Sequence, residues 1–191
     1  MCCVDNDNDK NKKRPAPSFP TMTSVLPPAL RKRLKATGFD LIEPFCVSWY
    51  NGVVQKEYQV EDFGRQRSLG VVIGANKNLW GAFLRSMKED PSLQALDHPL
   101  DVYTERCISE DLVREALVDS GLSSAGTSHH PAVEIFYSHH WGPTQRKIAI
   151  QRMAHVASLA FLNEACHLNV HPTFGSYISL KACSERDSFP P

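Results

Sequence analysis

Apolar positions recur along only the middle part of the chain, between two polar ends. Residues 1–24 are rich in Asp, Asn, Lys, Pro and Ser and contain almost nothing to bury, which is typical of a disordered tail. The same holds for residues 183–191, which read C-S-E-R-D-S-F-P-P. The pattern therefore predicts one domain over residues 25–182, flanked by two disordered tails.

The first half of this domain contains two helix-like and two strand-like segments. Leu30 and Leu34 lie about one helical turn apart and predict a short helix. Phe39–Tyr50 is rich in β-forming residues, and Pro44 within it implies a sheet edge or a bulge. Leu69–Gly74 is a continuous apolar run that predicts a buried strand. A helix follows, and its apolar stripe consists of Leu79, Phe83 and Met87.

The second half of the domain continues the alternation of strands and helices. Ala132–Ser138 alternates like a strand, and the run from Gln145 to about Ala165 is the longest helical pattern in the chain. Ser176–Lys181 predicts a closing strand. Strands separated by helices favour a sandwich of the α+β or α/β class, and we predict α+β.

Charge and cysteine content narrow the possible classes of function. Lys and Arg total 21 of the 191 residues, as do Asp and Glu, so no net basic field attracts nucleic acid or acidic lipid. The six cysteines show no C-x-x-C metal spacing, and no signal peptide is recognisable. No apolar run approaches the ~20 residues that span a bilayer. We therefore expect a cytoplasmic protein with reduced thiols.

Histidine is the first residue type that could carry chemistry. His129-His130 and His139-His140 are adjacent pairs, and adjacent side chains rarely converge on one ion, so we expect loop histidines without a metal. His155 lies among small residues of the expected long helix, where a core histidine and a ligand contact are both open interpretations. P-loop, G-x-S-x-G and G-x-G-x-x-G motifs are absent from the sequence.

Three motifs resemble one known family. Phe39–Asn51 ends P-F-C-V-S-W-Y-N and is similar to the G-F-E-x-x-P-F-x-V-x-W-Y-N of the cytosolic cobalamin-processing family, the methylmalonic aciduria and homocystinuria type C proteins. Lys147–Ala157 resembles the family's K-I-L-A-Q-T-A-A-H-V-A, and His171–Tyr177 resembles H-P-R-F-G-G-W. The motifs occur in the family's order and bracket residues 28–182.

The resemblance implies a flavin-reductase-like, nitroreductase-related α+β fold that binds cobalamin with its lower base displaced. The family removes the upper ligand of cobalamin, cyanide by reduction and alkyl groups by transfer to the thiolate of glutathione. The implied cofactors are therefore cobalamin, glutathione and a flavin, either FMN or FAD. The implied protein partners are the type D cobalamin-trafficking protein and methionine synthase.

Matched by position, the resemblance also implies the residues of the site. Lys181 is the catalytic candidate and replaces an arginine that helps to hold glutathione in the family. Lysine keeps the charge but lacks the guanidinium fork, so carboxylate capture should weaken. Residues 162–164 stand where the family has Tyr-Tyr-Gln. The residues implied to contact cobalamin are Tyr137, Ile148, Ala149, Ile150, Gln151, His155, Leu162, Asn163, Glu164, Asn169 and Leu180.

Other functions remain open at the level of sequence. The family continues beyond the position that matches Cys183, so we expect a truncated product whose strand Ser176–Lys181 frays at an unpaired edge. Dealkylation should then suffer more than cobalamin binding. One alternative is a cobalamin carrier without turnover, and another is a generic flavin-dependent reductase with no role in cobalamin chemistry.

Overall fold

A four-stranded antiparallel sheet forms the centre of the protein in the computed structural model, which describes residues 26–62, 68–119, 133–140 and 147–186. The helices are α1 (Pro28–Ala36), α2 (Val47–Asn51), α3 (Asn78–Glu89), α4 (Pro99–Cys107), α5 (Glu110–Asp119) and α6 (Ile150–Val156). The strands are β1 (Leu41–Cys46), β2 (Leu69–Ala75), β3 (Val133–Tyr137), β4 (Phe161–Asn163), β5 (Leu168–Val170) and β6 (Ser179–Arg186). The tail expected over residues 1–24, and residues 187–191 of the second tail, lie outside the described residues.

The sheet has the order β1-β2-β6-β3 and carries a core on each face. Strand β2 is buried along its whole length, and its successive side chains point alternately into the two cores. Val71 and Ile73 pack with residues of α1, α3, α4 and α5, whereas Val72 packs with residues of α2 and α6. The molecule is thus a layered α+β sandwich, and the predicted fold class is confirmed.

Several elements lie where the apolar pattern predicts them. β1 is the outer neighbour of β2, as Pro44 implied, and Pro44 lies opposite Val71. Helix α1 is followed by Gly38, whose φ of 91° favours glycine and whose added Cβ would lie 2.7 Å from the Cα of Leu79. None of the described helices combines the length and the apolar character that crossing a membrane requires.

The long helix expected from Gln145 to Ala165 is wrong. Helix α6 covers only Ile150–Val156, and residues 145–146 lie outside the described part. Ser158 ends the helix in a left-handed conformation with φ 57°. The N–H of Leu159 donates to the Ala154 carbonyl at 2.9 Å, and the N–H of Ser158 to the His155 carbonyl at 3.0 Å, which together form a Schellman motif. The chain then forms the β4–β5 hairpin instead of continuing the helix.

The expectation for the closing strand is also corrected. Strand β6 begins at Ser179 rather than Ser176 and continues to Arg186, through the first residues of the expected second tail. Residues 182–186 pair antiparallel with β2 on one side and with β3 on the other, whereas Ser179 and Leu180 pair with β2 alone. Cys183 is fully buried between Val72 and Phe136 of these neighbours, which is why this polar-looking segment stays in the sheet.

Candidate functional site

A cavity of about 450 Å³ lies beside the carboxyl end of β3, between the start of α6, the β4–β5 hairpin and the start of β6. Its volume is within the range of small-molecule sites. The wall combines aliphatic side chains with amide, hydroxyl and imidazole groups. The lining residues are Tyr58, Tyr137, Ser138, His140, Lys147, Ile148, Ile150, Gln151, His167, Leu168, Asn169, Ser176, Ile178, Ser179 and Leu180.

Tyr50 fixes the start of α6 against this cavity. Its hydroxyl accepts a hydrogen bond from the backbone N–H of Ala149 at 2.9 Å and donates one to the carbonyl oxygen of Tyr58 at 2.8 Å. Tyr50 is fully buried, so a single core side chain holds the first turn of α6 and the loop that carries Tyr58 together. The W-Y-N end of the first motif therefore supports the cavity from behind.

Asn169 holds the opposite wall. Its side-chain nitrogen donates to the carbonyl oxygen of Gln151 at 3.1 Å and ties β5 to α6. Asn169 is only 7% exposed, and its Oδ1 is buried without a hydrogen-bond partner among the described residues. A buried acceptor without a partner is costly, and a ligand N–H at this point would satisfy it.

Tyr137 closes the side of the cavity that faces α4. Its hydroxyl donates to the carbonyl oxygen of Ile108. Burial raises the pKa of Tyr137 to about 12, and the negative charges of Glu105 and Glu110 act in the same direction. The residue is therefore a neutral phenol whose hydroxyl is already engaged, and it offers the cavity its ring.

The two histidines after β3 converge on one carboxylate, although they are adjacent in sequence. His139 Nε2 lies 2.8 Å and His140 Nε2 2.9 Å from Oε1 of Glu105 on α4. Burial alone would raise the pKa of Glu105, but the hydrogen bonds and charges of both histidines outweigh it and lower this pKa. Glu105 is therefore an anion beside two imidazoles, and one of them, His140, lines the cavity.

The structure brings half of the twelve sequence-predicted site residues together. Three of them lie at or just before the start of α6, and the other three come from β3, β5 and β6. All six line the cavity. They are Tyr137, Ile148, Ile150, Gln151, Asn169 and Leu180.

The other six do not line the cavity. Ala149 contributes its backbone N–H to Tyr50. His155 lies in a separate shallow concavity, packs edge-on against Phe161, and accepts the N–H of Leu162 at 3.4 Å. Leu162 itself is buried in β4. Two more belong to the exposed end of the hairpin: Asn163 accepts the N–H of Ala165 at 3.0 Å, and Glu164 pairs with Arg152 at 2.7 Å.

Lys181, the predicted catalytic residue, lies at an irregularity of the sheet. Ala182 is opposite Ile73 but Leu180 is opposite Gly74, so Lys181 is the extra residue of a bulge in β6. Leu180 lines the cavity, whereas Lys181 does not. The carbonyl oxygen of Lys181 accepts the N–H of Ser138 at 2.8 Å, which anchors the turn that carries the two histidines.

Sequence reasoning missed several lining residues. Tyr58 lies in a polar segment without an apolar pattern, and His167 follows the expected long helix. His140 was noted as one of a pair but excluded as a functional residue. The usable signal was the pair itself, because adjacent histidines in a turn after a strand can both face a carboxylate on a neighbouring helix.

Comparison with known proteins gives one informative result. No protein-family model matches the chain, and no curated protein sequence matches it. Among solved structures, the chain is similar to the crystal structure of CblC, a B12-trafficking protein of C. elegans and a homologue of human MMACHC. The TM-score is 0.64 with 16% identity, and the match covers 85% of this chain and 69% of the CblC chain. The chain therefore shares the fold of CblC.

Proposed function

We propose that this chain binds cobalamin in the cavity beside β3 and belongs to the cobalamin-processing family that its motifs resemble. The observation that carries the proposal is convergence. Six residues that the resemblance assigns to cobalamin come from four segments between Tyr137 and Leu180, and all line one cavity. The fold shared with a B12-trafficking protein supports the same assignment.

The chemistry of the wall suits a corrinoid. Ile148, Ile150 and Leu180 offer aliphatic surface to the flat ring, and Asn169 Oδ1 offers an acceptor to the amide groups at the ring's periphery. A cavity of about 450 Å³ takes one part of so large a ligand, and the remainder lies across the open mouth. The protein's contribution is to bind and orient the corrinoid, because the cobalt supplies the reactivity.

Processing of the upper ligand is the first form of this function, by reductive decyanation with a reduced flavin or by alkyl transfer to glutathione. A cobalamin carrier without turnover is the second. The position of Lys181 favours the carrier, because the cation expected to hold glutathione does not line the cavity. Lys147 does line it and is exposed, so among the described residues it is the cation best placed to attract an anionic co-substrate.

The test is a titration of the purified chain into cyanocobalamin, followed by visible absorption. Binding with the lower base displaced shifts the visible band to shorter wavelength, and an unchanged spectrum at high protein excess contradicts the proposal. A second measurement follows loss of the methyl group from methylcobalamin in the presence of glutathione. A spectral shift with dealkylation supports processing, and a shift without dealkylation or decyanation supports the carrier.

A further inference from the structure

We infer that Glu105, His139 and His140 form a binding site for a divalent transition metal, and that Zn²⁺ is the ion it takes. Both histidine Nε2 atoms lie within 2.9 Å of the same Glu105 oxygen. The three ligand atoms lie within 4.8 Å of one another, so one ion can reach all three after small side-chain adjustments. This inference does not depend on cobalamin binding.

The environment of His139 favours a metal over a simple hydrogen bond. If a neutral His139 donates from Nε2 to Glu105, its Nδ1 is a bare acceptor. That atom is buried, has no hydrogen-bond partner among the described residues, and lies 3.6 Å from Oδ1 of Asp101. Two acceptors then face each other, which is unfavourable.

A metal ion at Nε2 of His139 removes this conflict. The ring proton then resides on Nδ1 and points at Asp101, so the contact becomes donor to acceptor. A metal-bound histidine that passes its second ring N–H to a carboxylate is the usual outer arrangement of such sites. A doubly protonated His139 would satisfy the same contacts without a metal, and the experiment below separates the two states.

The scaffold holds the ligands on two fixed elements. Asp101 and Glu105 lie four positions apart on α4 and therefore on the same face of that helix. His139 and His140 lie in the turn after β3, where the N–H of His140 donates to the Tyr137 carbonyl at 3.2 Å. The Tyr137 ring packs against both imidazoles, with centroids 5.5 Å and 5.0 Å away. Such support limits the reorganisation that metal binding requires.

The ligand set indicates the kind of metal and the kind of site. Two imidazoles with one carboxylate suit zinc and related first-row ions, and three protein ligands are typical of zinc sites that keep a position for water or substrate. His139 and His140 are 19% and 37% exposed, so the site is reachable from solvent. Because His140 also lines the cavity, a bound ion lies at the edge of that cavity.

The first experiment follows the histidine ring nitrogens of the full chain by NMR while Zn²⁺ is added to chelator-treated protein. We expect the signals of His139 and His140 to shift and saturate together, with Nδ1 of His139 carrying the proton. Zinc held by cysteine thiols elsewhere does not shift these two histidine signals. The proposal would be overturned if the ring signals of His139 and His140 stayed at their metal-free positions at zinc excess. This holds whether the metal-free rings are neutral or doubly protonated.

The second experiment measures zinc affinity of variants by calorimetry. Asp101→Ala should weaken binding at this site by about 10–100-fold, because it removes only the outer partner of His139. Glu105→Gln and His140→Gln should weaken it further, since each removes a ligand. His98→Gln is the matched control, an exposed histidine just before α4, and should bind zinc like the parent. The proposal would be overturned if Glu105→Gln and His140→Gln both bound zinc like the parent. If a variant folds poorly, the histidine ring signals of the parent decide between the outcomes.

Discussion

The side-chain nitrogen of Asn169 donates to the backbone carbonyl of Gln151 at 3.1 Å, and this bond joins the β4–β5 hairpin to α6 at the wall of the cavity. Both residues line the cavity, and the other polar atom of the Asn169 side chain, Oδ1, is buried beside it. One amide thus serves the fold with its donor, while its buried acceptor has no partner among the described residues.

Asn169→Ala tests both roles of this amide. The variant loses the bond to Gln151 and the buried acceptor, so the free energy of unfolding should fall by about 1 kcal/mol. The dissociation constant for cyanocobalamin should rise by about tenfold, the equivalent of one hydrogen bond. Urea unfolding and the spectral titration measure these effects. Asn163→Ala is the control in the same hairpin, outside the cavity, and equal affinities in the two variants would contradict the ligand role.

His155→Ala should separate stability from ligand binding. The ring accepts the N–H of Leu162 and packs edge-on against Phe161, and it does not line the cavity. We expect the free energy of unfolding to fall by about 1–3 kcal/mol, because the acceptor of a backbone N–H in a strand is lost. Cobalamin affinity of the folded variant should equal that of the parent. If the variant bound cobalamin more weakly but had the stability of the parent, His155 would be a ligand-binding residue instead.

Two glycines should respond to alanine with opposite signs. In β2, the methyl group of Gly70→Ala would fall on the ring of fully buried Phe45, within 2.7 Å of Cε1. Overpacking of this kind should lower the free energy of unfolding by about 1–3 kcal/mol. Gly81→Ala, on the exposed side of α3, meets only Arg85 Nη1 at 3.9 Å and should raise it by about 0.5–1 kcal/mol. Urea unfolding compares the pair, and equal shifts would refute the packing argument.

The turn from His171 to Gly175 should depend on pH. Nδ1 of His171 accepts the N–H groups of Thr173 at 3.0 Å and Phe174 at 3.3 Å, which only the form with a bare Nδ1 can do. Burial lowers the pKa of His171, although the charge of Glu43 partly opposes this effect. The folded pKa is therefore below the unfolded pKa of about 6.5. The contribution to stability is present above that value and is lost as the pH falls through the folded pKa.

His171→Asn provides the measurement of this dependence. An Asn side chain can accept the same turn N–H groups but does not titrate. The free energy of unfolding should decline more steeply for the parent than for the variant between about pH 7 and pH 5, and the two curves should run parallel above it. All other titrating groups are common to both proteins. Parallel curves over the whole range would show that His171 contributes no acid sensitivity.

Elements with an unambiguous apolar period could be predicted from the sequence. β2 is a continuous apolar run because both of its faces are buried, and α3 buries Leu79 and Phe83 on one stripe. The end of α6 could not be predicted in this way. Leu159 and Leu162 are buried with helical spacing, but they lie in a turn and a strand. The signal that ends the helix is a left-handed Ser158, a conformation that serine only rarely adopts.

The candidate site likewise contains residues that could be predicted from the sequence and residues that could not. Ile148, Ile150 and Gln151 could be located because one short motif carries all three to the start of α6. Tyr58 and His167 could not, because their place in the cavity depends on the Tyr50 hydroxyl and on the unexpected hairpin. The place of Lys181 depends on a bulge, and a shift of one residue in strand register has no counterpart in the apolar pattern.

The position of β6 in the sheet also constrains how the protein is made. β1 and β2 pair with each other, but β2 and β3 are joined only through β6, the last of the strands in the described part of the chain. During synthesis on the ribosome, the inner edge of β2 therefore emerges long before its partner. Both cores depend on that partner, because Ala182 and Cys183 enter them from opposite faces. We therefore expect the sheet to close only once residues up to Arg186 are free to pair, and its exposed strand edges to be accessible to chaperones until then.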